Sequence, residues 1–243
     1  MTLKTIKQGF LKKYHDFFSN PIPQYPTLIK YFHLHRIKNN YKADSQNIFN
    51  RFDKKSSFII HIPKTAGTSV YKSIYGTDIS YSHFNWKDLR IIMKDKKFSD
   101  YFSFSIVRNP WDRCLSAYEF LRSGGDNLKD RRFNKNFLSN FSSFEDFVKN
   151  GLSKRKIINW IHFIPQTNFT YSENDKCMVD YILRFENIEN DYAQIKKKLE
   201  GSSLLKYNVN RTNDNYQKHY DEEMKNIIYK VYSRDIRLLK YEF

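Results

Sequence analysis

Apolar positions recur with different periods along the chain. Near the start, Leu3, Ile6, Phe10, Tyr14 and Phe17 fall three or four residues apart, with Lys4, Lys7, Lys12 and Lys13 mostly off that stripe. The spacing is that of one face of a basic amphipathic helix. NPIPQYP at 20–26 ends it, because three prolines cannot continue a helix. From Ser57 onward strand-like and helix-like runs alternate. SFIIHI (57–62) reads as a short buried strand, and residues 67–75 fit a first helix. WKDLRIIMKD suits a second helix. YFSFSIV (101–107) has strand character, and PWDRCLSAYEFLR follows as a helix with Pro110 at its first turn. SSFEDFVKN begins with capping serines and predicts another helix. MVDYILRF (178–185) is strand-like, with a helix over 188–199. In HYDEEMKNIIYKVYSRDIRLL, Met224, Ile227, Ile228, Val231 and Tyr232 share a helical face, with acids in the first turn. SGGDNLKDRRFNKN (123–136), with two glycines and mixed charges, is expected to be a mobile loop.

This alternation predicts an α/β fold, a parallel sheet covered by helices in three layers. At 243 residues the chain suits one domain, residues 57–243, preceded by a basic extension over 1–56. Residues 1–57 hold eleven Lys and Arg against three Asp, half of the whole chain's excess of +16. Such an excess attracts polyanions: nucleic acid, anionic lipid, acidic glycans or nucleotide phosphates. Residues 1–18 could lie against an anionic membrane or dock their stripe on the main domain. Only Cys114 and Cys177 are present, which gives no disulfide framework and no metal-ligand spacing. No run approaches the roughly 20 apolar residues of a membrane span, and lysines interrupt any signal-peptide core. The expectation is a cytoplasmic protein, peripheral on the inner membrane face if the extension binds lipid.

Chemistry concentrates at two strand-to-helix junctions. HIPKTAGTS (61–69) places Lys64, Thr65, Ala66, Gly67, Thr68 and Ser69 at the carboxyl end of the first strand, where ligands bind in open parallel sheets. Gly67 would permit close backbone approach, the two hydroxyls are donors, and the first-turn N–H groups can take an anion. Lys64 precedes the glycine by three residues, the wrong order for the ATP-binding loop GxxxxGK[ST]. In FSFSIVRNPWDRCLSAY (102–118) a strand ends in Arg108, and Ser116 lies eight residues on. Arg offers a fixed fork of donors to phosphate, and a serine hydroxyl completes a cradle. Less specifically, Arg108 could pair with Asp112, Ser116 could be an ordinary helix serine, and Lys64 a solvated loop lysine.

Together the two blocks resemble the sulfotransferases, in the form typical of carbohydrate enzymes related to the heparan 2-O- and HNK-1 sulfotransferases, with a bacterial-type member suggested by the chain's lack of a membrane anchor. The resemblance covers roughly residues 57–243. It implies a P-loop-like sheet and 3′-phosphoadenosine 5′-phosphosulfate as donor, with residues 64–69 on its 5′-phosphosulfate and Arg108 and Ser116 on its 3′-phosphate. It further implies a carbohydrate hydroxyl as acceptor, on a surface glycan or its precursor, acidic glycans included. Transfer of this kind is in line and loose, so positioning and charge stabilisation do most of the work, with no metal required. Lys64 suits the bridging oxygen of the leaving nucleotide. A sugar hydroxyl needs a general base, and His83 in YSHFNW stands where related enzymes carry one; His61, inside the strand, is the alternative and is expected to point away from the loop or to pack. Arg211 and Thr212, in VNRTNDNY, are implied to close over the nucleotide. HFIPQTNFTY and ILRFENIENDY, which resemble recurring segments of bacterial members, contribute Gln166, Arg184 and Glu186; the alternative for the last two is a simple pair with each other near the sheet end. Rival readings are a P-loop phosphotransferase, which lacks its lysine here, a basic nucleic-acid-binding protein without a groove-reading motif, and a non-catalytic nucleotide binder.

Overall fold

A computed structural model describes residues 34–38, 47–77, 81–205 and 215–243. The amphipathic stripe over 3–17 and the candidate contacts Arg211 and Thr212 lie outside these residues.

Three parallel strands form the sheet in the order β1–β2–β3: β1 (Ser57–Ile60), β2 (Phe102–Val107) and β3 (Tyr181–Arg184). Ser57 pairs with Phe102 at one edge of the ladder, and Val107 with Arg184 at the other. All four residues of β1 are buried, without alternation, as expected where helices cover both faces of a parallel sheet. Serines inside these strands are tolerated because each hydroxyl finds a partner: Ser105 Oγ donates to Ile60 O at 2.7 Å, and Ser57 Oγ meets the Tyr75 hydroxyl at 3.0 Å. The α/β architecture therefore stands as the alternation of runs indicates.

The helices that position the site follow each strand. Ahead of β1, α1 (Ile48–Lys55) is capped by Asn47 and ends on Ser56 in a left-handed conformation. Its Phe49 and Phe52 belong to the core around the sheet, although α1 precedes Ser57. After β1 comes α2 (Gly67–Tyr75), then α3 (Trp86–Met93), whose Asn85 and Asp88 form a reciprocal capping box, and α4 (Asp95–Asp100). After β2, Asn109 caps α5 (Pro110–Arg122), with Pro110 in the first turn.

A helix replaces the expected mobile loop. Residues 128–136 form α6 (Leu128–Asn136), capped by Asn127, whose side chain accepts from Lys129 N and Asp130 N. Gly124 and Gly125, both at positive φ, make the turn that precedes it. What the charge-rich composition hid is a single apolar anchor: Phe133 is 2% exposed and stacks on Trp160 at 4.2 Å and 9°. Phe133 belongs to a second hydrophobic cluster, built from α5, α6, α7 (Phe144–Asn150) and the two last helices, α11 (Glu222–Val231) and α12 (Ser233–Leu239). Between them lie α8 (Arg155–Ile158), α9 (Thr167–Thr170) and α10 (Ile188–Lys198). The final amphipathic run is thus two helices, with Met224, Ile228 and Tyr232 buried. Cys114 and Cys177 are both free thiols, and burial pushes the Cys114 thiol up to about 12.

Candidate active site

The two junctions predicted from sequence meet at the carboxyl ends of β1 and β2. In the first, Lys64 and Ala66 take positive φ values of 68° and 63°, a backbone that bulky residues rarely adopt and that anion-cradling loops use to turn their N–H groups inward. Thr65 is fully buried, and its hydroxyl donates to Ile62 O at 2.9 Å, which closes the loop on itself. Ala66 occupies the cap position of α2 and gives no side-chain cap, and no acid stands in the first turn. A helix start left without carboxylate or hydroxyl capping presents its positive dipole end to an anion.

Gly67 also meets a steric demand that sequence does not disclose. A Cβ there would lie 2.3 Å from Cδ2 of His61. The His61 ring packs under the loop, 6% exposed, and 4.3 Å from the His83 ring. It therefore packs, as one of its two expected placements had it, but faces the loop from beneath. Burial, then the neighbouring His83, holds its pKa well below the usual imidazole range.

His83 reaches this centre from the segment before α3. Its Nδ1 lies 2.9 Å from His61 O. A carbonyl can only accept, so Nδ1 carries the proton and Nε2 keeps its lone pair. Burial lowers the His83 pKa to about 4; the bond to His61 opposes that, while Arg113 and Lys64 add to it. The ring is consequently neutral near pH 7 with one basic nitrogen, as a proton acceptor requires. Lys64 stands close: its Nζ lies 3.9 Å over the Phe120 ring of α5.

Arg108, 6% exposed, directly follows β2. Its Nε and Nη2 donate to the two oxygens of Asp112 at 2.7 and 2.9 Å, and Nη1 donates to Lys64 O at 3.1 Å. The guanidinium also stacks on Phe185 at 4.0 Å. Asp112 is thus its partner, and Arg108 ties the two junctions together through the Lys64 carbonyl. Those bonds use three of the five N–H groups of a guanidinium, which leaves donors for a further anion. Ser116 lies one turn beyond Asp112 on the same face of α5 and is half-buried.

Several side chains beyond those singled out in the two motifs hold this backbone in place. Gln166, fully buried, accepts from Arg108 N at 2.9 Å and donates to Arg108 O at 2.8 Å, continuing the ladder where β2 ends. Asp235 of α12 in turn accepts from Gln166 N, Thr167 N and Thr167 Oγ1 at 2.7 to 2.9 Å. Arg184 and Glu186 do not pair with each other. Glu186 accepts from Asn109 N at 2.5 Å and from the Tyr241 hydroxyl at 3.0 Å, while Arg184 donates to Leu239 O and stacks on Tyr241. Arg113, 1% exposed, is the residue least visible from sequence: it donates to Pro63 O and His162 O at 3.2 Å and to Ile164 O at 2.6 Å. An arginine inside a helical apolar face was the available signal. Among the described residues no cluster of three or more His, Cys, Asp or Glu side chains could hold a metal ion, and no helix is long and apolar enough to cross a membrane.

Comparison with known proteins gives three findings. A family described as "Sulfotransferase family" matches residues 47–242. An uncharacterized protein of Archaeoglobus fulgidus is 35% identical over 128 residues, which cover 51% of this chain and 88% of that one. No solved structure matches.

Proposed function

The chain belongs to the sulfotransferase family, and from that premise we propose that it moves the sulfuryl group of 3′-phosphoadenosine 5′-phosphosulfate to a hydroxyl of a carbohydrate acceptor, with His83 as general base. The observation that carries this reading is the convergence of an uncapped helix start, the Lys64 ammonium, the Arg108 fork and a neutral imidazole at one end of the sheet. Residues 64–69 receive the 5′-phosphosulfate on the α2 amides. Arg108 and Ser116, joined by Arg211 and Thr212, receive the 3′-phosphate.

The reaction needs little covalent chemistry from the protein. Charge develops on the bridging oxygen as the S–O bond to the nucleotide lengthens, and Lys64 neutralises it. His83 Nε2 takes the proton of the attacking hydroxyl, and the resulting imidazolium is stabilised by the His61 carbonyl at Nδ1. Acceptor specificity is set by the surrounding loops. The charge excess of +16 suits a surface glycan or its precursor, acidic ones included, and residues 1–18 suit peripheral contact with the anionic inner face of a membrane. The working location is cytoplasmic.

The test is incorporation of labelled sulfate from the donor into a panel of neutral and acidic glycans. The wild type labels at least one of them. His83→Asn lowers kcat by about 100-fold or more while the donor KM stays within a factor of about two. Because the folded His83 loses its proton only above pH about 4, kcat is flat from pH 8 down to about 5 and falls below that. An unlabelled panel, or an unimpaired His83→Asn, contradicts the reading.

A further inference from the structure

A third imidazole stands beside those of His61 and His83 and has no part in the reaction as drawn above. His162 has a side chain 8% exposed, and its Nδ1 is buried without a hydrogen bond among the described residues. The group that faces that nitrogen is Asp130 of α6, whose Oδ1 stands 3.9 Å away and whose side chain is 3% exposed. The other carboxylate oxygen is engaged: Oδ2 accepts from Asn127 Nδ2 at 2.7 Å and Asp126 N at 3.3 Å. The carboxylate is held from behind as well, since a Cβ on Gly125 would come within 2.3 Å of Asp130 Cβ. A buried imidazole nitrogen and a buried carboxylate oxygen that face each other call for an explanation, because buried polar groups are rarely left without partners.

The ring's surroundings place it at the reaction centre. Its centroid is 6.3 Å from that of His83 and 5.2 Å from that of Phe120, the ring that carries the Lys64 ammonium on its face. Arg113 joins the His162 carbonyl to the Pro63 carbonyl, so the segment that bears His162 is tied to the Lys64 loop. Burial first, then His83, Lys64 and Arg113, disfavour a proton on His162. Asp130, with Asp126 beyond it, is the carboxylate on the other side, and the Lys64 charge reaches it as well.

We propose that Asp130 and His162 form an imidazole–carboxylate dyad beside the proposed base His83. Asp130 is a positioning residue that keeps the His162 proton on Nδ1. Nε2 then offers a lone pair to the acceptor hydroxyl, and His162 shares with His83 the task of receiving its proton. The inference rests on the sulfuryl-transfer reading. In the step, the acceptor O–H bond breaks and its proton goes to an imidazole Nε2 as the new O–S bond forms. The S–O bond to the 5′-phosphate breaks, its electron pair leaves with the nucleotide, and the Asp130 carboxylate stabilises the imidazolium when His162 is the receiver.

The experiment is ¹⁵N spectroscopy of the histidine rings in the full chain, for wild type, Asp130→Asn and Asp130→Glu. It is combined with calorimetric titration of 3′-phosphoadenosine 5′-phosphate and with label transfer to the best glycan of the panel for His162→Asn. The wild type shows His162 protonated on Nδ1, Asp130→Asn moves the proton toward Nε2, and Asp130→Glu restores it. His162→Asn lowers kcat about tenfold or more with nucleotide affinity unchanged within a factor of about two. A wild-type ring protonated on Nε2, a tautomer indifferent to Asp130→Asn, or a kcat indifferent to His162→Asn overturns the proposal. A wild type that has the Nδ1 tautomer but neither binds the nucleotide nor labels any glycan overturns instead the transferase reading, and with it the catalytic role of His162, while the Asp130–His162 pair survives as structure.

Discussion

A methyl group at position 67 would sit 2.3 Å from Cδ2 and 2.8 Å from Nε2 of His61, closer than any relaxed contact permits. The His61 ring cannot retreat freely, because it is packed against Tyr71, Tyr81 and His83. Its own carbonyl fixes the proton on His83 Nδ1, so steric pressure on His61 is transmitted to the proposed base. Gly67→Ala is therefore expected to cost about 1–3 kcal/mol of stability and to lower kcat more than a surface substitution of equal stability cost. Equilibrium denaturation with label transfer on the same preparations checks this; a variant with wild-type stability and kcat would mean that the His61 ring moves aside at no cost. Residue identity alone pointed to a glycine needed near a ligand. The steric reason depends on where the His61 ring packs, under the loop, which its place in the SFIIHI run does not disclose.

Among the elements, the strand-to-helix junctions were legible in the sequence because each carries a local signature: an unbroken apolar run, then a loop with glycine or proline, then helical spacing. Helix α6 was not, since its one buried aromatic, Phe133, is diluted among Lys, Arg, Asp and Asn. Its stability comes mainly from contacts distant in sequence, the stack on Trp160 and packing against Phe163, and tertiary burial of this kind overrides weak local propensity. Truncation by Phe133→Ala is expected to cost about 3–5 kcal/mol. Because Asp130 rides on the same helix, amide exchange over residues 126–137 should rise well above that of β2. Unchanged protection in α6 would show that its caps, not the aromatic stack, hold it. The parts of the site that sequence did not reveal have the same origin: Asp235, Arg113 and His162 bind backbone groups or face partners about 30 to 70 residues away, and no spacing rule connects them.

For the whole molecule, two hydrophobic clusters meet at the junction of β2 and α5, one around the sheet and one among the later helices. The site is held from both sides there. Asn109 donates to Glu242 O at 2.7 Å, Glu186 receives Asn109 N, and Asp235 anchors the segment whose Gln166 brackets Arg108. Such rigidity is what electrostatic stabilisation of a loose transition state demands, since preorganised donors cost no rearrangement at the moment of transfer. The buried Arg108–Asp112 pair fits that scheme: the carboxylate compensates a guanidinium that would otherwise stand buried and unpaired before substrate arrives.

The most direct measurement is calorimetric titration of 3′-phosphoadenosine 5′-phosphate into the wild type, Lys64→Ala, Arg108→Ala and Arg108→Lys, with ATP and magnesium as the comparison ligand. The Arg108→Lys variant keeps a cation beside Asp112 while removing the fork. The account predicts micromolar or tighter binding to the wild type, a loss of about 10- to 100-fold in both Arg108 variants, a loss in Lys64→Ala, and weaker binding of ATP than of the 3′-phosphorylated nucleotide. Preferential binding of ATP, or no binding of either nucleotide, would contradict the assignment of the 61–69 and 102–118 blocks to the donor, and the transferase claim would fall with it.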